Sequence, residues 1–243
     1  MRIESRSALR IFRGMRSTFP ILFFCLAGGS AVIGASAELE AALKNFRAEA
    51  PRGWSYTQTT AAEGRSTVER SDAAKPEFDR WTLVQKDGRP PTAGETREYF
   101  ENRSRRSRGG TAPKLVEQLD LSKLEALARD DIRTTYRCRL RPGEDGDKIA
   151  GFLRATLIVH RPSATLELIE LHNVEPFSPT FGVRIAEMRT RMTYSLPVGD
   201  VPSLPQKVET RVRGSAFWFK SLDAELTVTF RDYVRATKRT PSS

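Results

Sequence analysis

Cysteine and histidine are both scarce in this chain, at two each in 243 residues. Cys25 lies in an apolar stretch near the start, which leaves Cys138 as the one cysteine of the body of the protein. A single cysteine forms no internal disulfide, whatever the compartment. Cys138 falls on the apolar face of a strand pattern, so it reads as an inert buried thiol. With only His160 and His172, histidine-based metal clusters and triads have little to draw on. These two end successive strands, and a hairpin sets them at opposite ends. No G-x-S-x-G elbow, H-E-x-x-H helix or phosphate-binding glycine loop is written anywhere. The acid pair Asp130-Asp131 adjoins an element end and reads as a turn. The sequence therefore predicts a protein that is not an enzyme and holds no metal or cofactor.

Long apolar runs are also missing. The run Ile21 to Ala27 is short for a bilayer span. It follows Arg2, Arg6, Arg10, Arg13 and Arg16, and Ala35-Ser36-Ala37 behind it offers an A-x-A cleavage site. Together they read as a secretory signal peptide over residues 1–37, with Met15 as an alternative start. An uncleaved anchor is the competing reading. Phe23 and Phe24 before Cys25 argue against a lipidation signal. The expectation is a periplasmic or otherwise exported protein, cut near Ala37, with no transmembrane span afterwards. The formal charge is +10. Five Arg and one Glu in residues 1–37 account for +4, leaving +6 on the mature chain. That balance favours anionic partners such as lipid head groups or acidic polymers. Nucleic acid is not expected in that compartment.

What the chain does have is alternation. From Gly151 to Tyr233 it reads as five strands in series. Lys207 to Phe219 carries Val208, Thr210, Val212, Gly214, Ala216 and Trp218 on one face, against mostly charged residues on the other. Glu225 to Arg231, Val183 to Tyr194 and the stretch Leu153 to Val159 repeat the two-residue period. Thr165 to Leu171 breaks it, because Leu166 and Leu168 face one way and Ile169 and Leu171 the other; a bulge or a second covered surface accounts for that. The apolar faces mix large residues with small ones (Ala155, Ala186, Thr190, Thr210, Gly214, Ala216). Small side chains in mid-sheet leave volume that a helix or an apolar ligand must fill.

Upstream, Glu38 to Ala48 reads as a helix with Leu39, Ala42, Leu43 and Phe46 as its stripe. Trp54 to Thr60, Ser66 to Ser71 and Arg80 to Gln85 read as a meander of short strands. Thr92 and Glu95 form a capping box opening a surface helix anchored by Tyr99 and Phe100. Arg103, Arg105, Arg106 and Arg108 then run into Gly109-Gly110 as a basic loop. Leu115, Val116 and Leu119, with a second capping box at Ser122 and Glu125, predict another helix, the best candidate to fill the covered face. Ile132 to Arg141 is a lopsided strand: Arg133, Arg137, Arg139 and Arg141 share one face, with Glu167 and Glu170 as the acids expected alongside. Glu144, Asp145 and Asp147 read as a solvated turn, since EF-hand spacing is absent.

The order of elements, with His172-Asn173-Val174-Glu175-Pro176-Phe177-Ser178-Pro179 between two strands and Phe230-Arg231-Asp232-Tyr233 at the end, resembles the periplasmic lipoprotein-carrier superfamily over roughly residues 38 to 233. The resemblance implies an open half-barrel with an apolar ligand beneath a helical lid. The expectation for fold is α+β, mainly antiparallel, with a curved open half-barrel sheet and helices capping its concave face. One domain is expected over residues 38–243, with a helical insertion at about 92–129. A lipid or acyl chain would touch Trp54, Tyr56, Trp81, Met188, Met192, Tyr194, Val212 and Trp218. Alternatively, the protein docks on an anionic envelope surface through Arg133, Arg137, Arg139 and Arg211.

Overall fold

The structure, a computed structural model, describes residues 33–48, 50, 51, 53–107, 115–142, 149–217 and 219–236. Trp218, the acidic turn at 144–147, the Gly109-Gly110 loop and most of the signal segment lie outside the described residues. Helix α1 (Ile33–Asn45) comes first, then β1 (Trp54–Ala62), β2 (Arg65–Ser71) and β3 (Trp81–Lys86). Next are α2 (Ala93–Ser107), α3 (Leu115–Gln118), β4 (Leu119–Arg129) and β5 (Arg133–Leu140). The rest are α4 (Ile149–Phe152), β6 (Leu153–His160), β7 (Thr165–Asn173), β8 (Phe177–Thr180), β9 (Val183–Tyr194), β10 (Pro205–Ala216), β11 (Lys220–Ser221) and β12 (Ala224–Arg235).

All the strands belong to one twelve-stranded sheet ordered β3-β2-β1-β12-β10-β9-β7-β6-β5-β4, with β11 on β10 and β8 on β9. Every named pairing is antiparallel. The sheet stays open, with β3 and β4 as its two edges, so the fold is an α+β open half-barrel. The β1–β2 turn is Glu63-Gly64 with φ of 52° and 74°, and Asp87-Gly88 after β3 has 51° and 77°. Two successive positive φ values give the turn whose twist matches the flanking strands.

The core lies under α1. Leu39, Ala42 and Leu43 are buried against Tyr136, Cys138, Ala155, Leu157, Val159, Leu166 and Ile169. Burying each large side chain of this set is worth about 1.5–3 kcal/mol. Glu38, midway along the helix, anchors it to the sheet by pairing with Arg161 at 3.1 Å and Arg129 at 4.0 Å. Volume above Ala155 is therefore filled by the first helix. At α2 the expected capping box forms, with Thr92 N donating to Glu95 Oε2 at 2.9 Å and Glu95 N to Thr92 Oγ1 at 3.3 Å. Of its two rings only Tyr99 is half-buried; Phe100 is exposed.

Several expectations are corrected. The helix over Leu115 to Leu127 shrinks to the single turn Leu115–Gln118, and Leu119–Arg129 is the edge strand β4. Its pairing with β5 jumps between Asp120 and Glu125, leaving Leu121 and Leu124 in a bulge, packed on the core. A bulged strand meets a leucine spacing of three as a helix would. The Ser122 hydroxyl meant for a capping box donates instead to Asp120 at 2.5 Å. Ile132 is exposed in the turn before β5, where Asp130 accepts from its amide at 2.7 Å. Ala186 is exposed and Ile185 buried, because the β9–β10 register shifts at Arg213/Gly214. Gly214 is small for a different reason than a ligand: a Cβ there would collide with the Arg184 carbonyl oxygen. Strand β10 ends at Ala216, and Phe217, at φ 51°, turns the chain out of the sheet.

The irregular β7 is explained. Ile158 pairs with Leu168 and Val159 with Leu166, so Glu167 is an extra residue in a bulge. Leu166, Leu168 and Ile169 are all buried as a result.

Candidate functional site

Cross-strand partners share a face. One row of such partners runs Tyr136–Leu157–Ile169–Met192–Val208–Val228–Thr60 across the concave side. Its first members are the buried core under α1. From β9 onward every member is half-buried, and no described helix makes extensive contact with β9, β10, β12 or β1. The parallel rows add Met188, Thr190, Thr210, Val212, Leu226 and Phe230, all half-buried. Thr190 and Thr210 satisfy each other at 3.2 Å. The concave face is thus split into a filled half beneath the helix and an open apolar strip on β9, β10, β12 and β1.

The strip ends in an aromatic cluster. Tyr56 sits 5.5 Å from Trp81 edge-on, 5.5 Å from Tyr233 and 6.0 Å from Phe230 between centroids. A bulge between Ser55 and Thr57, opposite Asp232 at φ 57°, turns Tyr56 and Tyr233 to the same side. The Tyr233 hydroxyl donates to Pro205 O at 2.7 Å. Helix α2 closes this end: Arg103 stacks 3.9 Å over Trp81 and pairs with the buried Glu69 at 3.4 Å. Burial, and then the Glu69 carboxylate, push the Tyr99 phenol above its ordinary range.

The residues predicted to meet a ligand therefore divide. Tyr56, Trp81 and Val212 lie on the open half. Met188 and Met192 stand at the boundary, packed partly on the core. Tyr194 is in the filled half, 6% exposed and edge-on to Phe46 at 5.1 Å. Trp54 starts β1 opposite Arg235 and is half-buried. Phe230, Tyr233, Val208, Leu226 and Val228 share the strip without having been singled out. Their alternation was legible, but which strands lie side by side was not.

The convex face carries a second constellation. Direct partners run Arg139–Arg154–His172–Arg189–Arg211–Glu225 over six consecutive strands. Four guanidiniums and an imidazole thus line up at the strand spacing of about 4.8 Å. Arg189 pairs with Glu170 at 3.4 Å and Arg211 with Glu225 at 3.1 Å. Among the described residues, no carboxylate lies within ion-pair distance of Arg137, Arg139 or Arg154. Arg133 stands apart, satisfied by Glu167 at 2.5 Å. A hollow of about 110 Å³ at the β4 end is lined by Lys123, Glu125, Arg137, Arg139 and Arg154. A wider one, about 510 Å³, lies by the β1–β2 turn among Glu63, Arg211, Arg213, Asp223 and Glu225. The wider hollow also takes in Val212 and Ala224, at the end of the open strip.

Asn173 ties the two faces together. Its Nδ2 donates to Glu175 O at 2.9 Å and Ala186 O at 3.1 Å, and its Oδ1 accepts from Met188 N at 2.6 Å. The side chain bridges to β9 where β7 stops and β8 has yet to begin. Pro176 then delivers Phe177 to a stack on Phe152, 5.2 Å between centroids. Cys138 is buried, and burial pushes its thiol up to about 11. No protein-family model, curated protein or solved structure matches this chain.

Proposed function

We propose that this is an exported lipid- or lipophile-binding protein of the bacterial cell envelope, carrier-like and non-enzymatic. The observation that carries the reading is the open half of the concave face: apolar, half-buried, and bare of any described helix beside one that α1 fills. Each methylene of an acyl chain laid there gains about 0.8 kcal/mol. Met188 and Met192 adapt to an irregular chain, and the Tyr56–Trp81–Phe230 cluster bounds its far end. The layout of the carrier superfamily supports the same reading. Delipidated protein should bind a fluorescent fatty-acid probe in the micromolar range, and Val212→Asp with Val228→Asp should abolish that binding. No binding by the unaltered protein at high micromolar probe would remove this reading.

A second reading has its own observation in the convex arginine row, which suits docking on an anionic envelope surface. Adsorption to an anionic polymer would weaken with salt, because exposed charges are screened within about 10 Å at 0.1 M. Arg139→Gln with Arg154→Gln would weaken it further. Adsorption indifferent to salt removes the electrostatic basis.

A further inference from the structure

Three phenylalanines stand in solvent at one end of the sheet. Phe181 is 85% exposed, Phe219 87% and Phe217 54%. They belong to two hairpin tips that the fold presses together. Phe181 and Gly182 turn β8 into β9, and Phe217 and Phe219 lie between β10 and β11. Ala216 pairs with Val183, and Phe217 N donates to Gly182 O at 2.6 Å. The Phe217 ring lies so near Gly182 that a Cβ on that glycine would come within 2.9 Å of it. The two tips are held in contact as one double wedge.

Exposed large apolar groups in a cluster are informative where a lone one is not. The charges nearest the rings are the bases Arg184 and Lys220, both exposed; Arg213 stands further back, opposite Glu187 on β9, and Asp223 follows β11. We propose that the paired tips are a docking wedge for an anionic phospholipid bilayer: the aromatic rings enter the interface and Arg184 and Lys220 meet the head groups. Aromatic rings favour the water–hydrocarbon boundary, and basic residues beside them add attraction to anionic lipid. A second copy of the chain fits poorly, since it would set Arg184 and Lys220 of one copy against those of the other. A protein partner fits poorly too, since three rings offer roughly 450–750 Å² even if fully covered, short of the ~800 Å² each partner gives a standard interface.

The wedge does not rest on the concave-face reading, and the two fail separately. The experiment is sedimentation of the purified chain with vesicles of phosphatidylcholine containing about a quarter phosphatidylglycerol. The unaltered protein should sediment with them. Phe181→Ser with Phe219→Ser should lower the partition coefficient at least about tenfold. These side chains touch little, so the melting temperature should stay put and a folding defect would be visible. Arg184→Gln with Lys220→Gln should weaken binding to the anionic vesicles and leave any binding to pure phosphatidylcholine unchanged. Val212→Asp, aimed at the fatty-acid probe, should leave vesicle binding intact. An unaltered partition in the phenylalanine double variant would overturn the wedge. So would a protein that ignores vesicles but dimerises through these rings, seen as a monomer only after the double substitution.

Discussion

Asn173 does with a side chain what the backbone of β7 stops doing. It supplies two donors and one acceptor to chain that would otherwise leave amides and carbonyls unpaired. Two of the three bonds are exposed, so Asn173→Ala should cost about 0.5–1.5 kcal/mol, the net range for an ordinary hydrogen bond, measured as a lower denaturant midpoint at constant slope. His172, one residue earlier, is the titrating member of the convex row. Burial first, then the Arg189, Arg137 and Arg154 guanidiniums, hold its pKa below the ordinary histidine value, against the opposing pull of Glu170. A base whose pKa is lower in the fold is penalised when it must charge there. The fold is free of that penalty above the ordinary value of about 6.5 and acquires it as pH falls below. Between pH 7.5 and 5 the unaltered protein should therefore lose more thermal stability than His172→Gln does. An equal loss in both would show that the imbalance at His172 is absent.

At the scale of the element, α1 decides whether half the sheet has a core. Its stripe was plain in the sequence, because Leu39, Ala42, Leu43 and Phe46 recur at helical spacing. What it would cover was not. Leu39→Ala should cost about 2–5 kcal/mol, since Leu39 is 1% exposed and the sheet beneath gives little room to collapse. A loss under 1 kcal/mol by chemical denaturation would mean that the helix contributes little. Strand β4 taught the opposite lesson. Its leucine spacing and a capping-box pattern pointed to a helix, yet β5 needed an edge partner for its own amides, and a bulge reconciled the leucines with that pairing. Tertiary demand overrode local preference. The bulge also protects the sheet's last edge, a usual site of unwanted pairing.

At the scale of the whole molecule, the sheet separates its tasks by face and by end. The concave side is half core and half open strip, the convex side carries a row of bases, and one end carries the aromatic wedge. Cleavage near Ala37 would leave Glu38 at the front of α1 with its ion pairs to Arg161 and Arg129 still available. N-terminal sequencing of protein recovered from an expressing bacterial host should therefore read Glu38-Leu39-Glu40. A terminus upstream of residue 33 would instead mean an uncleaved leader. Among the described residues no helix is long and apolar enough to cross a membrane.

Taken alone, the sequence determined most of the strands and their turns, most inward and outward sides, the first helix and the inert cysteine, because these follow from local periods of two and 3.6 and from glycine at positive φ. Its broken alternation in β7 marked an irregularity there, which the structure resolves as a bulge at Glu167. It could not order the strands. Only the tertiary structure put β12 beside β1 and β10, lined up Arg139, Arg154, His172, Arg189 and Arg211 from five separate strands, and left the β9–β12 half of the concave face bare. Those facts are matters of register between residues far apart in the chain, and register is set by which faces bury one another, an outcome no single stretch contains.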